Sequence, residues 1–171
     1  PPCSESLAEA LKTTLQTVVY DPQGELDMEE AMPFEIALTN TSFYLQRASP
    51  QSLNYVEEET AEEDVQDSRT IEITAFQFQV PLKKRQDFVL DENQAIEFQG
   101  MEVTSLPAIE VDSLQAFPVI IEGVDRNQGD STNVYQLWLF SVEGYYLFEA
   151  KTKGHFAENL KLFQQIGATF D

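Results

Sequence analysis

The sequence predicts an α+β protein: a mainly antiparallel β-sheet with N- and C-terminal helices packed on its faces, an α/β/α sandwich. Three observations predict it. Apolar residues recur at helical spacing near both ends, alternate with period two through much of the middle, and crowd both faces of two strands in the last third. A chain of 171 residues buries about 70% of its unfolded surface. Residues 1–171 therefore read as a single domain.

Ser6-Leu7-Ala8-Glu9 is a capping-box pattern, in which the serine oxygen takes an orphan N–H and Glu9 reaches back to the cap. Leu7, Leu11, Leu15 and Val18 follow on one helical face, and Asp21-Pro22-Gln23-Gly24 ends the helix. Glu25 to Met32 reads as either a short helical turn or a loop. From Pro33 the period becomes two: Phe34, Ile36 and Leu38 alternate with Glu35, Ala37 and Thr39, as in a half-buried strand. Further extended pieces are predicted over Phe43 to Arg47 and Ser52 to Val56. Residues 57–69 read as an acidic mobile loop. Ile71, Ile73 and Ala75 then face one way and Phe76, Phe78 and Val80 the other, which predicts a mid-strand β-bulge. Pro81 stops the strand and Lys83 to Asp87 reads as a polar turn, after which Ile96 and Phe98 alternate before Gly100.

The stretch Val103 to Val111 is weakly patterned and broken by Pro107. Strands follow at Val119 to Val124, Val134 to Val142 and Tyr145 to Ala150, separated by the turns Asp125 to Ser131 and Glu143-Gly144. Trp138 and Phe140 point to one face, Leu137 and Leu139 to the other, so this hairpin must be covered on both sides. Phe156, Leu160, Phe163 and Ile166 form the stripe of a last helix, with Gly167 suited to a left-handed C-terminal cap.

The segment from Phe117-Pro118-Val119 through the strands Val134 to Val142 and Tyr145 to Ala150, then Phe156, Leu160, Phe163, Ile166 and Thr169-Phe170, spans about 55 of the 171 residues. In layout it resembles the C-terminal half of a superfamily that includes the PsbP extrinsic proteins, the Ran-binding Mog-type proteins, DcrB-type lipoproteins and certain chaperones of type VI effectors. The N-terminal half differs in placing a helix before Phe34. The resemblance implies a three-layer fold, a binding role without catalysis, and a periplasmic or secreted location, with a cytoplasmic one as the alternative.

Thirty acidic residues against ten basic ones give a formal charge of −20. Only Lys83-Lys84-Arg85 resembles a phosphate-binding cluster, so nucleic acid is not expected as a ligand. No apolar run approaches the roughly 20 residues of a membrane crossing. The single Cys3 excludes a disulfide scaffold. The opening Pro1-Pro2-Cys3 predicts a removed leader or a trimmed chain, and Pro-Pro lacks the small and apolar residues that precede a lipid-modified cysteine.

One histidine and one cysteine cannot supply a zinc site. His155 opens a helix, where the dipole disfavours the imidazolium that acid–base catalysis needs. Asp125 to Asp130 looks like a calcium loop at its first and third positions, but Gln136 stands where the bidentate glutamate belongs. The chain is therefore expected to be non-enzymatic, without metal or cofactor. Trp138, Tyr145, Tyr146 and Phe148 read as core rather than as a pocket. Asn40-Thr41-Ser42 matches a glycosylation sequon.

Charge is uneven: residues 1–72 carry net −13 and residues 73–171 net −7. The tract Glu57 to Asp67 places seven acids and no base in eleven residues. Glu57, Glu58, Glu59, Glu62, Glu63, Asp64 and Asp67 are the expected contacts of an acidic docking surface for a basic protein partner. The alternative is a small-molecule or lipid carrier with an apolar cavity over the sheet, lined by residues such as Phe76, Phe78 and Trp138.

Overall fold

The computed structural model describes residues 32–38, 41–57, 69–98, 100–124 and 131–171. In chain order these form β1 (Phe43–Ser49), β2 (Ser52–Glu57), β3 (Arg69–Phe76), α1 (Arg85–Phe98), β4 (Glu102–Ser105), β5 (Ile109–Val111), β6 (Leu114–Val124), β7 (Ser131–Phe140), β8 (Tyr145–Thr152) and α2 (Phe156–Gly167). The strands make one antiparallel sheet in the order β1-β2-β3-β8-β7-β6-β4, with β5 added beside β6. The class is α+β, as the sequence predicts. The N-terminal helix expected over residues 6–18 lies outside the described residues.

β7 is an interior strand, paired with β6 on one side and β8 on the other, and every residue from Val134 to Phe140 is buried. Successive side chains of a strand point to opposite faces, so two separate cores meet across it. Tyr135, Leu137 and Leu139 share one cluster with Ile71, Ile73, Phe148 and the α2 residues Phe163 and Ile166. Val134, Trp138 and Phe140 share the other with Phe117, Val119, Tyr145 and the α1 residue Val89. Each buried Phe or Leu side chain contributes about 1.5–3 kcal/mol, so the two clusters are the main source of cohesion.

Phe34 to Leu38 has the predicted alternation, with Phe34 buried and Glu35 exposed, but among the described residues no strand of the sheet pairs with it. Its partner is the chain's last stretch: the Glu35 N–H donates to the Asp171 carbonyl at 2.8 Å, and the Asp171 N–H to the Glu35 carbonyl at 3.0 Å. Phe34 stacks on Phe170 with ring centroids 5.1 Å apart.

Three local expectations are corrected. The β3–β8 register runs unbroken from Arg69↔Thr152 to Phe76↔Tyr145, so β3 has no bulge; the chain simply leaves the sheet after Phe76. The register shift lies in β1, between Leu45 and Arg47. Residues 85–98, read as a polar turn followed by alternation, are helical. The helix buries Val89 and Asn93 one turn apart, and the polar Asn93 conceals its apolar stripe; its Nδ2 donates to the Val89 carbonyl at 2.9 Å. Gly167 does not adopt a left-handed cap. It lies at the end of α2 where a Cβ would sit 3.1 Å from Leu137 Cδ2, so its role is close helix–sheet approach.

The β7–β8 turn makes the tightest approach. A Cβ on Gly144 would lie 2.0 Å from the Phe76 carbonyl oxygen, which is backbone and cannot swing away. Gly144→Ala is expected to destabilise the protein by roughly 1–3 kcal/mol through forced backbone displacement, read as a lower urea midpoint.

Burial also pushes the Tyr135 phenol up to about 12. Its unfolded value is about 10, so its stabilising effect is complete below that pH and is lost as the pH rises towards about 12. Stability should fall by on the order of 2–3 kcal/mol over that window. In Tyr135→Phe this limb of the pH–stability curve should flatten.

Candidate functional site

Of the seven predicted docking acids, only Glu57 is among the described residues. Glu58, Glu59, Glu62, Glu63, Asp64 and Asp67 lie outside them. Glu57 closes β2 and Arg69 opens β3, so both ends of the expected 57–69 loop belong to paired strands. The Arg69 guanidinium grips Glu57 through two nitrogens, and Ser42 Oγ donates to the same carboxylate. Arg69 Nη1 also donates to Asn159 Oδ1 at 3.1 Å, and Asn159 Nδ2 donates to Thr152 Oγ1 at 2.9 Å and to the Gly154 carbonyl at 3.0 Å. The base of the acidic hairpin is thus fastened to β8 and to the first turn of α2.

A second polar chain crosses the centre of the sheet. Trp138 Nε1 donates to Gln136 Oε1 at 3.0 Å, and Gln136 Nε2 donates to Glu149 Oε2 at 2.8 Å. Lys151 Nζ meets the other oxygen of Glu149 at 2.6 Å. Gln136 is therefore a satisfied core residue, whereas Asp125 to Asp130 lie outside the described residues. His155 takes φ 45° at the start of α2, and its carbonyl accepts the N–H groups of Glu158 and Asn159. Among the described residues no group of three or more His, Cys, Asp and Glu converges as a metal would require.

Trp138, Tyr145 and Phe148 are buried and Tyr146 is partly buried, as the core reading predicts. The residues expected to line a carrier cavity differ in exposure. Trp138 is interior, whereas Phe76 and Phe78 are 37% and 60% exposed. A pocket of about 80 Å³ opens between α1 and β6, lined by Val89, Leu90, Leu106 and Phe117. Drug-sized ligands occupy roughly 300–1,000 Å³, so it suits a single side chain.

Sequence reasoning missed an aromatic end of the sheet. Phe76 stacks on Tyr145 at 4.6 Å, Phe88 meets Tyr145 edge-on at 5.3 Å, and Phe78 lies 6.3 Å from Phe88. Arg85 holds this end closed. Its guanidinium sits 5.2 Å over the Phe140 ring and donates to the carbonyls of Val80 and Ser141 and to Gln115 Oε1. Phe76 and Phe78 read as sharing a strand face, but nothing in the sequence brings them to Tyr145 and Phe88 or leaves them exposed.

No protein-family model and no curated protein matches this chain. Among solved structures it is similar to PA94 from Pseudomonas aeruginosa, a protein of unknown function described as a candidate regulator. The two share 13% identity over 74% of this chain and 94% of that one, with a TM-score of 0.47.

The side chains of Arg69 and Glu57 are 24% and 15% exposed, so the pair is sheltered but screened. Replacing Arg69 by Met leaves the Glu57 carboxylate without its cation, with only the Ser42 hydroxyl among these donors, and removes the donor to Asn159 Oδ1. A loss of about 1–3 kcal/mol in chemical denaturation is expected, recovered in part by adding Glu57→Gln.

Proposed function

We propose that this chain is a non-enzymatic protein-binding module whose acidic N-terminal half docks a basic partner. The observation that carries the reading is the fastening of the acidic hairpin. Glu57 and Arg69 neutralise each other at its base, while the intervening sequence holds six further acids and no base. Net charge −20 sets up a field that accelerates encounter with a cationic surface and weakens steeply with salt.

Among the described residues the surface offers more uncompensated acid. Glu102 and Glu122 stand opposite each other across β4 and β6, both exposed, with no cationic partner among the described residues. Like charges in that position are mutually unfavourable and are relieved by an arriving cation. A layered α/β/α arrangement, with the N-terminal helix as one of its covers, and the extracytoplasmic setting implied by the PsbP-type resemblance belong to the same proposal.

The test uses the full chain and a variant with Glu58, Glu59, Glu62, Glu63 changed to Gln and Asp64, Asp67 to Asn. Each is used as bait in host extract at low and high salt. A basic protein should bind the native chain stoichiometrically, elute with salt, and bind the neutralised variant at least about tenfold more weakly. Equal capture by both baits would sink the docking role of the tract.

A further inference from the structure

We propose that the sheet face beside α1 is a docking surface for a basic peptide segment carrying one aromatic or aliphatic anchor residue. The proposal rests on the protein-binding reading and gives it a second site built from described residues.

The register assembles this face. Phe76 lies opposite Tyr145, Thr74 opposite Leu147 and Glu72 opposite Glu149, and alternate residues of each strand share a side of the sheet. The same side of β7 carries Trp138, against which α1 packs through Phe88 at 5.9 Å. The helix stops there. Among the described residues α1 makes no extended contact with β1, β2 or β3 on this side, and Thr70, Glu72 and Thr74 remain half-exposed.

At one end of this open strip the exposed rings of Phe76 and Phe78 flank Tyr145 and Phe88. Two accessible benzyl groups over an aromatic floor form a seat for an apolar side chain, the kind of central anchor on which protein interfaces rely. Leu147 continues that floor along β8.

Carboxylates lie on both elements that build the seat, Glu72 on β3 four residues before Phe76 and Glu92 on α1 one turn after Phe88. Glu149 is already engaged by Gln136 and Lys151, whereas Glu72 opposite it has no cationic partner among the described residues. On α1, exposed Glu92 comes close enough to Tyr145 that its charge, after burial, helps to raise the phenol's pKa. An aromatic seat on elements that carry carboxylates without a cationic partner among the described residues selects a cationic and apolar segment. The same charges, in a chain of net −20, disfavour nucleic acid or an anionic lipid surface here.

The full chain is titrated, with amide NMR shifts as readout, by acetyl-Lys-Lys-Trp-Lys-Lys-amide and by the analogue with Gly in place of Trp. The tryptophan peptide should shift residues 74–78, 145–147 and Glu92. The glycine analogue should bind about tenfold more weakly. Phe78→Ser should reduce affinity for the tryptophan peptide about tenfold, and Glu72→Gln roughly threefold. Leu82→Ser, at a site 66% exposed, should leave it unchanged.

Glu72→Gln removes only a charge, so it remains informative if the Phe78 variant folds poorly. Unchanged affinity in both variants, or shifts confined to other surfaces, would overturn the site. The variant with the neutralised acidic tract separates the two readings. If it alone loses the peptide, this site falls and the tract stands; if it keeps the peptide while Phe78→Ser and Glu72→Gln lose it, this site stands without the tract. Failure of the native chain to bind the tryptophan peptide at all would overturn the site, and the host-extract comparison still decides the tract.

Discussion

The architecture depends on one constraint: β7 is apolar on both sides. A strand with Tyr135, Leu137 and Leu139 facing one way and Val134, Trp138 and Phe140 the other can be stable only between two covers. On one side the cover includes α2 and the segments 32–38 and 168–171, which reinforce each other through the Glu35–Asp171 ladder. On the other it includes α1 and the residues leading into it, held by Arg85. The one polar residue in this run, Gln136, has both ends of its amide occupied, by Trp138 and Glu149. A buried amide left unpaired there would cost on the order of 1–3 kcal/mol.

The charge economy follows from the same packing. Arg69 and Arg85 are both half-buried and spend their guanidinium groups inside the fold, one on a carboxylate and an amide, the other on carbonyls and a ring. Two of only ten basic residues are thereby withdrawn from the surface, and Lys151 is partly absorbed by Glu149. Arg69 and Lys151 each cancel a carboxylate, whereas Arg85 is held by neutral groups, so the acids left over in a chain of net charge −20 keep few cations beside them. A protein of this composition repels its own copies and attracts cationic partners.

How much of this could be read from the residues varied along the chain for identifiable reasons. From residue 114 onward the strands are long, separated by recognisable turns and followed by a strongly amphipathic helix, so their order and two-faced burial were legible. Helix α1 was not, because Asn93 occupies one of its inward positions and hides the period. The alternation at Phe34 to Leu38 was visible but its partner was not, since that pairing joins residue 35 to residue 171. Glu57 read as a free docking acid because its partner, Arg69, lies twelve positions away and meets it only through the β2–β3 register. The exposed aromatic end was invisible for a similar reason. Phe78 lies between Gln77 and Gln79 and Phe88 between Asp87 and Val89, and only the fold leaves the first exposed and partly buries the second against Trp138 and Tyr145.

The strand order also dictates a sequence of events during synthesis. β1, β2 and β3 form a local meander, and β6, β7 and β8 another, and the sheet joins the two through the pairing of β3 with β8, residues 69–76 with 145–152. The first meander therefore leaves the ribosome with β3 as an open edge, and it waits for some seventy further residues before its neighbour exists. Closing that long loop is the entropically expensive step of assembly. Until then Ile71 and Ile73 are without the β8 residues that will flank them, and the nascent chain is open to sheet-edge association.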